Sequence, residues 1–134
     1  MTYPRPPTNY ELVLKWHHDF GVAIGKVPHM LTGDLAKLRI KLIEEEFKEY
    51  KDAIEAGDII AAADALGDLL FAIYGTCVTH GFNADVVMAE ITRSNNTKMS
   101  VDGNPTNHKG GKILKGPNFQ PPRLAMVLGI QDEA

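Results

Sequence analysis

A chain of 134 residues, 44% hydrophobic and 23% charged, has the apolar content for one compact domain and excludes a disordered tail. A net charge of −3 argues against a dedicated nucleic-acid binder, which carries a basic surplus. The lone cysteine, Cys77, excludes an internal disulfide framework and, lying in an apolar run, reads as a core residue rather than a nucleophile.

The proline-rich start, residues 1–7, reads as extended and lacks the apolar stretch of a secretory signal, so a cytoplasmic location is expected. Thr8 and Glu11 then stand at capping-box spacing and open a helix over about 9–20 that ends near Gly21. Residues 21–33, with Gly21, Gly25, Pro28 and Gly33, read as a loop. Asp34 is the expected cap of a second helix through about Glu55. Its apolar residues Leu35, Leu38, Leu42, Ile43, Phe47, Tyr50 and Ile54 recur every three or four positions, which predicts one core-facing stripe. Gly57 suits a left-handed helix end and Asp58 the next N-cap.

The third helix runs to about His80, and Gly81 ends it. It is apolar nearly all round, which places it centrally. It is also the one candidate membrane span. Asp64 and Asp68 within it each cost roughly 2.5–3.5 kcal/mol at a bilayer centre, so no membrane partner is expected. Asn83 is positioned to cap a fourth helix over about 84–98. Beyond Met99 the chain turns to glycine, proline and lysine, and no helical or strand period survives until the short apolar run Leu124–Leu128. These signals predict a single all-α domain over residues 1–134, an antiparallel bundle of about four helices with an irregular C-terminal loop.

The chemistry lies in the acidic residues. Glu44, Glu45 and Glu46 are followed by Glu49, and helical spacing places Glu45, Glu46 and Glu49 as neighbours. Alone they would read as a solvated acidic face. Asp64 and Asp68 are the only charges between Ile59 and Thr79, and Asp68 lies too far along its helix for the dipole to explain it. Glu49 is nine positions before Asp58 and Asp68 ten after it. On antiparallel helices rising about 1.5 Å per residue, the two stand at one height. The expected patch of carboxylates suits Mg²⁺, with Mn²⁺ as the other hard cation, and such a centre binds phosphates. Lys98, Lys112 and Lys115, in a glycine-bearing segment, supply complementary charge; an ordinary basic tail is the alternative. The loop over 99–122 is expected to be mobile and to order on a triphosphate.

Four segments in order, EEEFKEY, ADALGDLLFAIYG, EITRSNNTKM and GKILKGPNFQPP, resemble the all-α nucleotide pyrophosphohydrolases. That superfamily includes MazG-type enzymes, phosphoribosyl-ATP pyrophosphohydrolase and the dimeric dUTPases. The N-terminal KWHHDFG is similar to a Phe-His-x-x-Phe-Gly signature of a single-domain, dUTPase-like branch, with Trp16 in first place.

The resemblance implies a Glu-x-x-Glu step at Glu46 and Glu49 and a metal-binding aspartate at Asp68. The glutamate three residues before that aspartate is here Ala65, and Asp64 stands beside it as the expected substitute in the cluster, direct or through water. The resemblance further implies that Glu45 handles the attacking water, that Asn95, Lys98 and Lys115 contact substrate with Lys112 nearby, and that the protein is a homodimer or higher homo-oligomer.

The expected reaction is Mg²⁺-dependent hydrolysis of a nucleoside triphosphate, such as dUTP or another pyrimidine deoxynucleotide, to monophosphate and pyrophosphate. The alternatives are phosphoribosyl-ATP hydrolysis and a non-catalytic helical dimer that binds nucleotide. Trp16, His17 and Phe20 are candidates to stack on a base.

Overall fold

The computed structural model describes residues 4–99 and 108–131. The fold is all-α, with four substantial helices: α1 (Asn9–Phe20), α2 (Gly33–Ala56), α3 (Ile59–His80) and α4 (Ala84–Asn96). A two-stranded hairpin follows, β1 (His108–Lys109) and β2 (Lys112–Ile113), and then the single turn α5 (Leu124–Val127). The chain forms two compact units, residues 1–84 and residues 85–134.

In the first unit the local signals act as expected. The Thr8 hydroxyl accepts from the Glu11 amide at 3.1 Å, and the Glu11 carboxylate accepts from the Thr8 amide at 2.9 Å. The break between α2 and α3 is one glycine and one aspartate. Gly57 adopts a left-handed φ of 66°, and Asp58 Oδ1 accepts from the Ala61 amide at 3.0 Å. So short a break makes the two helices antiparallel neighbours. One boundary differs from expectation. The N-cap of α2 is Thr32, without a side-chain capping bond, and Asp34 lies inside the first turn, where its charge complements the helix dipole.

Both α1 and α2 pack on α3. The buried positions of α3 are Ala65, Ala72, Gly75, Val78 and Thr79, mostly small, which lets its neighbours approach closely. The loop between α1 and α2 is bound to the end of α3. The Gly25 amide donates to Val78 O at 2.9 Å, the His29 amide to His80 O at 3.0 Å, and the Thr79 hydroxyl to Ala23 O at 2.9 Å. A Cβ on Gly25 would lie 2.7 Å from the Gly81 backbone, so only glycine permits this contact.

The expected core stripe of α2 is corrected by the structure. Its two buried residues are Arg39 and Ala53, while Leu38, Phe47 and Ile54 are about half exposed or more. On α3, Ile59 and Ile60 are about 80% exposed, and Leu70 is half exposed. The reason is steric. The seam needs small side chains for close approach, so the long apolar residues fall outside it.

In the second unit α4 is bound to the segment after the hairpin. Glu90, 8% exposed, takes both Arg93 Nε and Nη2 at 2.8 Å and the Arg123 amide at 2.7 Å. The Ser94 hydroxyl donates to Gln120 O at 2.7 Å, and the Gln120 amide donates to Thr97 Oγ1 at 2.8 Å. The hairpin corrects the expectation of an aperiodic C-terminal loop. Gly110 and Gly111, with φ of 62° and 81°, form its two-residue turn, and His108 pairs with Ile113. The expected mobility of loop 99–122 falls in part on residues 100–107, which lie outside the described residues.

Candidate active site

The carboxylates of Glu46, Glu49 and Asp68 converge. One oxygen from each lies within 4.8 Å of the others. Glu46 and Glu49 come from successive turns of α2, and Asp68 from the facing height of α3. Asp68 continues the line of Ala65, Ala72 and Gly75 along the inner side of α3. Close approach of the helices at these small residues brings the three oxygens together.

Glu46 is the most perturbed member. Its Oε2 is buried and has no hydrogen-bond partner among the described residues. Burial, followed by a side-chain hydrogen bond shared with Glu49 and the negative charge of Glu49, Asp68 and Asp64, pushes its pKa up to about 6. A buried acceptor without a donor, among like charges, is costly unless a cation joins it. A set of carboxylate oxygens fits a hard divalent ion that keeps exchangeable water positions.

The remaining sequence candidates fall in other places. Asp64 is exposed and adds to the field on Glu46, but its oxygens lie outside the set of three. Arg39, on the neighbouring helix α2, donates to Thr76 Oγ1 at 3.1 Å and to Ala72 O at 2.9 Å, and not to Asp64. Ala65, where the resembling enzymes carry a glutamate, is 2% exposed. Glu45 is exposed and lies 3.8 Å from Lys41 Nζ. Asn95 and Lys98 belong to the second unit, at the end of α4, where the Lys98 amide donates to Asn95 O at 3.1 Å. Lys112 lies in β2, and Lys115 Nζ sits 4.8 Å above the Phe119 ring.

Beside the acidic centre is a cavity of about 340 Å³, bordered by Glu46 and Asp68 and reaching Trp16, His17 and Arg39. Of the three aromatic candidates on α1, Trp16 and His17 line it and Phe20 does not. Phe20 instead stacks on Trp16 at 4.8 Å between ring centres.

Sequence reading missed two features. Arg39 was legible as a charge one turn from both Leu35 and Leu42, within an apolar helix face. The Glu90–Arg93 pair was legible as an i, i+3 step, but its long-range partner at Arg123 was not. Cys77 is half-buried and free, and burial pushes its thiol pKa up, which suits packing rather than nucleophilic chemistry.

The sequence profile of the family described as phosphoribosyl-ATP pyrophosphohydrolase matches residues 13–95, more than half of the chain. An uncharacterized protein of Acanthamoeba polyphaga mimivirus is 34% identical over 82 residues, which cover 58% of this chain and 33% of that protein. The chain therefore spans about a third of the length of this curated relative.

Proposed function

The chain belongs to the phosphoribosyl-ATP pyrophosphohydrolase family, and from that premise we propose that it hydrolyses a nucleoside triphosphate to the monophosphate and pyrophosphate. The observation that carries this reading is the convergence of Glu46, Glu49 and Asp68 around the unpartnered Oε2 of Glu46. These three residues would hold Mg²⁺ or Mn²⁺, with Asp64 supporting the centre through its charge. A divalent ion at that place would supply polarisation of phosphate oxygens and a lowered pKa for water.

The bond broken is the one between the α-phosphorus and the oxygen bridging to the β-phosphorus, and water supplies the new oxygen. Glu45, exposed beside the acidic set, orients that water and accepts its proton. Asn95, Lys98, Lys112 and Lys115 hold the phosphate chain, the lysines offsetting charge on the departing pyrophosphate. The exposed Phe47, Ile54, Ile59 and Ile60 favour a second copy of this chain as partner, since exposed apolar patches mark association surfaces. The site of action is the cytoplasm.

A second reading, hydrolysis of phosphoribosyl-ATP, is favoured by the description of the family itself. A panel of the deoxynucleoside and ribonucleoside triphosphates and phosphoribosyl-ATP, each with Mg²⁺ and Mn²⁺ and with products resolved by chromatography, tests both. Monophosphate and pyrophosphate from a triphosphate are expected. Release of inorganic phosphate instead, or no turnover with any nucleotide, overturns the proposal. Sedimentation of the full chain reads the oligomeric state; a monomer at micromolar concentration overturns the partner assignment.

A further inference from the structure

The polar groups that α4 buries all reach one short stretch of chain. Glu90 takes the fork of Arg93 and the Arg123 amide, and Arg93 Nη1 donates to Gln120 Oε1 at 3.0 Å. Ser94, 2% exposed, donates its hydroxyl to Gln120 O at 2.7 Å, and Thr97 Oγ1 takes the Gln120 amide at 2.8 Å. Gln120 is itself exposed, yet its carbonyl, its amide and its side chain are all held. An exposed residue between a glycine-bearing turn and two prolines gains little packing from such fixing. The clamp orders what lies on either side of it.

On α4, Asn95 follows Ser94 and Lys98 follows Thr97. One position is about 100° of turn, so the residues that grip Gln120 and these two lie on adjoining faces. The last turn is kept tight by the Thr97 amide on Ser94 O at 3.0 Å and the Lys98 amide on Asn95 O at 3.1 Å. On the other side, Phe119 immediately precedes Gln120. Its amide closes a turn on Gly116 O at 3.2 Å, and its ring lies 4.8 Å from Lys115 Nζ. The clamp therefore joins Lys115 to the helix end that carries Asn95 and Lys98, and contains none of the three.

A lysine on a loose segment must be ordered when an anion binds, and that ordering subtracts from affinity; one already held in place loses less. Resting on the triphosphate hydrolysis proposed above, we propose that Glu90 is a positioning residue: acting through Arg93, Gln120 and Phe119, it fixes Lys115 relative to Asn95 and Lys98, so that the three form a ready-made grip on the pyrophosphate part of the substrate.

Inorganic pyrophosphate with Mg²⁺, titrated calorimetrically into the full-length protein, reads the grip without requiring turnover. Glu90→Gln keeps the shape of the side chain and should weaken pyrophosphate about tenfold, the loss of roughly one charge-assisted hydrogen bond. Lys115→Ala should weaken it at least as much. The double variant should match Lys115→Ala to within about twofold, because Glu90 acts through a lysine that is then gone. Thr97→Val removes the hydroxyl beneath the Gln120 amide and should weaken pyrophosphate in the same direction, which keeps the test open if Glu90→Gln melts early.

A merely structural Glu90 would lower the melting temperature and leave the affinity of the folded protein at the parental value. Parental affinity in folded Glu90→Gln or Thr97→Val overturns the proposal. So do fully additive effects of Glu90→Gln and Lys115→Ala, or a parent protein that does not bind pyrophosphate. The two readings separate. Coupled loss of pyrophosphate binding in a protein that turns over no nucleotide refutes the hydrolysis and leaves the positioning role standing. Nucleotide turnover with additive effects does the reverse.

Discussion

Glu46 in the first unit and Glu90 in the second are both glutamates drawn out of solvent, and their surroundings push them in opposite directions. Glu90 receives a forked pair of bonds from Arg93 and the Arg123 amide, which hold its carboxyl well below the usual range, at about 2. Glu46 has an unpartnered oxygen and three acidic neighbours, and its pKa rises to about 6. The arginines mirror the glutamates. Arg93 has its carboxylate; Arg39 has only a hydroxyl and a carbonyl. The satisfied pair ties α4 to the segment after the hairpin. Glu46 and Arg39 instead line one cavity beside the acidic centre. Unmet bonding capacity therefore separates a chemical site from a structural one here, although both use the same residue types.

The largest expected effect breaks the contrast at the acidic centre. Asp68→Asn should lower nucleotide turnover by roughly 10³-fold, as loss of transition-state charge stabilisation does, with the melting temperature unchanged or raised. Steady-state assays and thermal melts check this, and parental turnover in Asp68→Asn would remove the metal assignment.

Gly75→Ala addresses the other end of the cavity. The new methyl group would meet Arg39 Nη2 and His17 Nε2 at 2.5 and 2.7 Å. Overpacking of this kind costs about 1–3 kcal/mol. Urea denaturation should show that loss, and stability equal to the parent would mean that Arg39 and His17 move aside freely.

Glu90→Gln tests the satisfied half of the comparison. It should loosen the residue 119–123 segment, raising amide exchange at Gln120 and Arg123 on the order of tenfold, the effect of losing about one charge-assisted hydrogen bond. Mg²⁺ affinity should not change. A variant with normal exchange and weakened metal binding would reverse the roles assigned to the two glutamates.

The smallest effect is in pH dependence. The folded-state pKa of Glu46 is above its ordinary value, so folding favours the protonated form. Its contribution is fully present below about pH 4.5 and is lost as pH rises through about 6. Glu90, whose pKa is lowered, contributes above its unfolded value and loses that contribution only as pH falls toward about 2. The two windows do not overlap. With EDTA, melting temperature should decline more from pH 4.5 to 6.5 in the parent than in Glu46→Gln, and saturating Mg²⁺ should remove the difference. Parallel profiles with EDTA would show that Glu46 is not perturbed.

What was legible in the sequence follows from interactions local along the chain. The Thr8–Glu11 box, the left-handed Gly21, Gly57 and Gly81, the Asp58 cap and the helix ends they set need only a few adjacent residues, so their chemistry is complete in the string itself. The common height of Glu49 and Asp68 was also legible, because a short break and a constant rise fix it. The hairpin turn at Gly110-Gly111 was written in the sequence as well, and was obscured by the lack of flanking alternation.

Other features were decided only by packing between distant segments. Periodicity identifies an apolar face without saying what covers it. The stripe Leu38–Phe47–Ile54 therefore looked like core, although the seam closes instead on Arg39, Ala53, Ala65 and Gly75. Residue type alone could not show that Arg39 lacks a carboxylate, that His17 gives its Nδ1 proton to Ala23, or that Glu90 reaches the Arg123 amide. Burial and partnership are properties of the folded neighbourhood. The sequence by itself determined where helices start, stop and place their carboxylates, and the tertiary structure decided which of those charges find partners and which are left facing a cavity.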